Sequence, residues 1–271
     1  MTLRAHPETG PVWTPSRFTV DAARLRGRLG FFRRTFGACC LILLTVFSLS
    51  GELAAQPDNP LITEADTEIL RRKAIDYNKA LGASSLTQAD IALLNEMSKA
   101  QVLQMSLSSK QRELSDIRER IKRDMNLLAK PAARGAILPQ FAQHATTLLK
   151  DQPLPVRINA CMLLTELNEE PPVIQKQIPA VPFLGVADAL IQVLADPDQH
   201  TAVKIIAAKG LMRICRDGKP KVDLRTRIAD VMVDQLKTQG SNEWYRRTLI
   251  ESVSWTSVLF DKTRKPYIIQ T

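Results

Sequence analysis

The sequence predicts an all-α fold in which helices stack in pairs, and three observations carry that prediction. Hydrophobic residues make up 45% of the 271-residue chain while aromatics make up only 5%, so the core is filled by aliphatic side chains of the kind that line stacked helices. Across residues 134–256 the apolar positions fall at steps of three and four, the signature of one buried helical face. The same pattern returns after 47 residues and again after a further 42.

The first element is a leader. Phe36 to Ser50 carries no charge, Arg24, Arg26, Arg28, Arg33 and Arg34 precede it, and Leu53-Ala54-Ala55 follows it. A basic flank, a short apolar run and small residues at its end make a secretory signal peptide. The expectation is a long basic leader over residues 1–55, cleaved after Ala55, and an exported chain: periplasmic, cell-envelope or secreted. Arg33-Arg34-Thr35-Phe36 also resembles a twin-arginine signal, with Phe32 where Ser or Thr is usual. The run falls short of the roughly 20 apolar residues that a membrane helix needs, and no later segment is long and apolar enough to cross a membrane.

Residues 56–63 read as a linker. A helix is predicted from Glu64 to Leu81, with Leu70, Ala74, Tyr77 and Leu81 on one face and Gly82 as its stop. Thr87 with Asp90 has the spacing of a capping box that opens the next helix. Leu93, Ala100, Leu107, Leu114, Ile121 and Leu128 recur every seven residues, but their companion positions are too irregular for a coiled coil. Two helices with a break near 106–109 are expected, forming over 64–130 a helical N-terminal cap; a free dimerisation helix is the alternative.

The repeats occupy the second half, residues 131–271. Val156, Arg157, Ala160, Leu164 and Leu167 are matched by Val203, Lys204, Ala207, Leu211 and Ile214, then by Tyr245, Arg246, Leu249 and Val253. Each set follows an amphipathic stretch and a turn rich in Asp, Pro, Gly or Asn, residues that punctuate helices. Leu-Pro, Leu-Leu, an Asp-containing turn and V-R-x-x-A-x-x-x-L-x-x-L resemble the HEAT repeat, in an exported chain of bacterial type. The resemblance covers about residues 134–256 and is weakest in the third unit, where Trp244-Tyr245 replaces a small apolar residue. It implies a HEAT-type α-solenoid of about three helix pairs, in which Arg157, Lys204 and Arg246 tie neighbouring repeats together, through turn acids such as Asp151 and Asp196. Residues 265–271 look like the opening of a fourth repeat.

Chemistry is sparse. The formal net charge is +9, but residues 1–55 hold seven Arg and three acids. Taking these from 37 basic and 28 acidic residues leaves 30 against 25. That is a solvated surface of mixed sign, with a basic-surface polyanion or nucleic-acid binder kept as an alternative. Beyond the leader stand two histidines, His144 and His200, and two cysteines, Cys161 and Cys215. Neither pair has metal-ligand spacing, and no Gly-rich phosphate loop or nucleophile motif points to a cofactor or catalysis. Asp196, Asp198 and His200 read as a helix-opening turn before they read as a cation site, and Glu169-Glu170 reads as solvated charge. Two features suggest protein contact. The connection from Asn168 to Pro182 is long enough to be functional, either exposing Val173 and Ile174 or lying across the repeats as a brace. Trp244 and Arg247 belong to residue types that anchor interfaces. The expected function is a non-catalytic protein-binding scaffold acting outside the cytoplasm without a cofactor; a HEAT-fold enzyme with a dispersed site is the remaining alternative.

Overall fold

The computed structural model describes residues 59–238 and 242–257; the expected leader, the start of the linker and the expected fourth repeat lie outside them. The described chain is mostly helical. It opens with short helices α1 (Glu64–Thr67), α2 (Ile69–Arg72) and α3 (Ala74–Leu81), where apolar spacing predicts one helix over the whole span. Lys73 leaves helical geometry at φ −105° and ψ 15°, so α3 turns Tyr77, Ala80 and Leu81 into the core while Ile75 stays exposed. The end of the predicted linker is docked: Leu61 N donates to Ser106 Oγ at 2.9 Å, and Asn59 O accepts from Gln152 Nε2 at 2.8 Å.

Helix α4 (Gln88–Leu103) starts at the Thr87–Asp90 capping box, an outcome settled by residues within one turn. Two 3₁₀ turns follow, then α5 (Leu114–Arg123) and a π-turn over Asp124–Leu128. Helix α6 (Pro131–Thr147) starts with Pro131, whose missing N–H costs nothing in the first turn. Pro139 stands inside it on an exposed face. Then come α7 (Leu154–Glu166), strands β1 (Asn168–Glu170) and β2 (Val181–Pro182), α8 (Ala187–Ala195), α9 (Thr201–Asp217), α10 (Val222–Thr238) and α11 (Glu243–Ser254).

Packing sorts the helices into two sets. Helices α5, α7, α9 and α11 touch in succession, while α4 packs on α6, α6 meets the turn Leu184–Val186 leading into α8, and α8 packs on α10. Across the sets, α6 lies on α7, α8 on α9 and α10 on α11. Ala160, Ala207 and Leu249, the equivalent positions of the repeated pattern, are all fully buried. Tyr245 fits the third unit by sinking its ring into the core while its hydroxyl bonds Gln235 Oε1 at 3.2 Å. Helix α5, which periodicity places in a separate cap, packs on α7. Ile117, Arg118, Ile121 and Met125 stand 39 residues before Val156, Arg157, Ala160 and Leu164, and the apolar three are buried.

Arg157, expected to reach a turn Asp, meets a glutamine. Arg157 NH1 donates to Gln199 Oε1 at 2.9 Å, and Gln199 Nε2 donates back to Leu149 O at 3.0 Å. Asp196 Oδ1 instead accepts from Asp198 N within its own turn, and Asp151 is exposed in the left-handed region at φ 54°. Gln152 and Gln199 are 47 residues apart and both buried, so the repeat pattern contained the signal. An amide suits a buried tie because it both donates and accepts, and burying it costs less than burying a carboxylate. Lys204 is buried; burial lowers its pKa, while the charges of Asp196 and Asp198 raise it. Arg246 is exposed on α11, and any turn it would reach in a next unit lies beyond the described residues. Arg118 joins the ties: its NH1 donates to Asn159 Oδ1 at 3.0 Å.

Candidate functional site

Helix α9 approaches α7 and α8 closely because Gly210 has no side chain. A Cβ there would stand 2.4 Å from Thr165 Cγ2 and 3.0 Å from Leu190 Cδ1. Along α5, α7 and α9 runs a groove of about 600 Å³. Met162, Ile206 and Met212 supply half-buried apolar lining, and Lys122, Lys209, Arg213 and Arg216 supply cations. Among the described residues Glu166 is the one carboxylate lining it. Its Oε2 lies 3.3 Å from Arg118 Nε and its Oε1 3.8 Å from Lys122 Nζ. Burial raises the Glu166 pKa, and the charges of Arg118 and Lys122 pull it back.

The cations differ in how they are held. Arg213 donates to Thr165 O at 2.7 Å and to Asn168 Oδ1. Arg216 grips Asp217 with two bonds of 2.9 Å and places its guanidinium 5.7 Å from the centre of the Trp255 ring. Lys209 Nζ lies 5.7 Å from the centre of the Trp244 ring. Both indoles keep much of their surface open, Trp244 at 65% and Trp255 at 45%. Cation–π contact of this kind holds a ring in place without covering it. Trp244 therefore sits beside the groove through Lys209. Arg247 is exposed on the same helix.

The connection from Asn168 to Pro182 is a β-hairpin, not an irregular loop. Asn168 pairs with Pro182 and Glu170 with Val181, and Val173 and Ile178 exchange backbone hydrogen bonds of 3.0 and 3.2 Å. Its root is fixed: Asn168 Nδ2 donates to Asn126 Oδ1 at 3.0 Å, and Phe183 N donates to Leu167 O at 3.0 Å. Its tip is open. Val173, Ile174 and Ile178 are all exposed, which rules out a brace held down by those three. Asn168 and Pro172 line the groove, whereas Val173, Ile174, Trp244 and Arg247 do not. Apolar periodicity misses the groove itself, because its lining is drawn from the half-buried flanks of three helices.

The histidines are placed apart from it. His200 Nδ1 accepts from Ala202 N at 3.1 Å as the N-cap of α9. His144 is half-buried on α6, where burial first and Lys99 second lower its pKa. Cys161 and Cys215 are both free and buried; burial pushes the Cys215 thiol up to about 11. Among the described residues no group of three or more His, Cys, Asp or Glu is placed to hold a metal ion, and no helix is long and apolar enough to cross a membrane. The chain matches no protein-family model, no curated protein and no solved structure.

Proposed function

We propose that the chain is a non-catalytic scaffold of HEAT-type helix pairs that binds another protein along the α5–α7–α9 groove, outside the cytoplasm. The observation that carries the reading is the groove itself: apolar and Met-rich within, cationic at its rim, with an exposed indole beside it. Methionine adapts to the shape of an apolar partner, and Trp and Arg supply the contacts that dominate interface energies. The HEAT-type reading is supported by the succession α5, α7, α9, α11 and by buried ties that link one helix pair to the next. Export is supported by the uncharged run from Phe36 to Ser50 behind its arginines.

Site-specific photocrosslinking tests the binding reading. A crosslinker at Met212 or Trp244 is expected to trap a defined protein in the native host, while one at Ile75, exposed on α3, traps none. Equal labelling at all three positions, or none at any, would overturn it. Export is tested by sequencing the N-terminus of the chain recovered from the envelope or medium, which is expected to begin at Gln56.

A further inference from the structure

Resting on that reading, we infer that the groove takes an amphipathic helix whose apolar stripe is flanked by acidic residues. Lys209, Arg213 and Arg216 stand at positions i, i+4 and i+7 of α9, one face of a helix. Two turns of helix separate the first and last, about 10 Å. Carboxylates two turns apart on a partner helix laid beside α9 repeat at the same distance, so the match is one of geometry as well as sign. Four cations face one carboxylate in the lining, and that carboxylate, Glu166, is held by Arg118 and Lys122. Met162, Ile206 and Met212 offer an apolar lane, the arrangement that receives anchors at i, i+3, i+4 and i+7 of a docking helix.

A polyanion fits less well. Lys122 and Arg216 already hold carboxylates of this chain at 3.0 and 2.9 Å, and phosphates laid along the groove would meet Glu166. An acidic helix instead brings apolar side chains to the lane while its carboxylates address Lys209 and the Arg216 Nη1 that the two bonds to Asp217 do not use. Complementary charge of this kind fixes register and partner choice more than raw affinity.

The test uses the purified full chain and three labelled synthetic peptides, followed by fluorescence anisotropy. One has a leucine stripe with glutamates two turns apart, the second has lysines in place of the glutamates, and the third is the first with its residues scrambled. The striped acidic peptide is expected to bind with Kd below the order of 100 µM, and the other two at least tenfold more weakly. Reversing Lys209→Glu together with Arg216→Glu is expected to weaken it at least tenfold and to let the lysine peptide bind. Thermal unfolding verifies that the reversed chain folds, and Lys209→Gln with Arg216→Gln serves if it does not. Equal binding of the scrambled peptide, indifference to the reversal or its neutral substitute, or tighter binding of an oligothymidine overturns the inference. Crosslinking of a protein from Met212 with no binding of the striped acidic peptide sinks this inference alone. Failure of both sinks the scaffold reading with it.

Discussion

Gly210 and Gln199 do work that the side-chain classes of their neighbours do not announce. A methyl group at position 210 would press on Thr165 Cγ2 and Leu190 Cδ1, so Gly210→Ala is expected to destabilise the fold by about 1–3 kcal/mol, the usual cost of overpacking. Thr165→Ser removes the obstructing methyl and keeps the hydroxyl. In the double variant part of the loss should return, and strict additivity in urea unfolding would show that the two sites do not touch. Gln199→Ala strands the Arg157 guanidinium and Leu149 O at once, which costs about 1–3 kcal/mol for buried partners. Asp196→Ala loses one bond within an exposed turn and should cost less; the reverse ranking would restore the Asp ladder. Local chemistry made Thr87–Asp90 readable, whereas Gln199 needed the turn of the next unit to be in place before its function could be seen.

Two elements carry predictions of their own. Pro139 cannot donate to the carbonyl of Gly135 and crowds it, yet it faces solvent on α6. Pro139→Ala is expected to raise stability by about 1 kcal/mol, read as a higher urea midpoint; a lower midpoint would mean that packing requires the proline. At the π-turn, Asp124 is buried and accepts from Gln101 Nε2 at 3.2 Å and from Arg123 NH2 at 3.3 Å. Burial raises its pKa above the ordinary aspartate value of 3.8, opposed first by the charge of Arg123. The folded state therefore holds this proton more tightly than the unfolded chain does. The resulting stability is full below 3.8 and is lost as pH rises through the folded value. Asp124→Asn should remove that loss, so the difference in unfolding midpoint between variant and parent shifts in the variant's favour from pH 3.5 to pH 7. A difference that does not change with pH would refute the sign. The heptad pattern through Leu114 and Ile121 hid α5 from the repeat series, because spacings of seven and of three and four share positions on a helix. The hairpin was hidden for a different reason: its strands are only three and two residues long, too short for alternation to mark them.

Among the described residues, contacts run from neighbour to neighbour, α5 to α7 to α9 to α11. A fold joined this way loses protection from its ends inward. Hydrogen exchange is expected to be slowest in α7 and α9, faster in α1–α3 and α11, and fastest at the hairpin tip around Ile174. Uniform protection across α1–α11 would contradict that ordering. Aliphatic periodicity was enough to establish a mostly helical chain and to pick out which faces of the repeated helices go inward, since burial of a stripe depends on spacing within one helix. Pairing was another matter. That Gln199 meets Arg157, that α5 packs on α7, and that Lys209 and the hairpin root line one groove all depend on which helices become neighbours. Such choices are made by side chains dozens of residues apart competing for the same buried space, and no window of sequence contains both competitors.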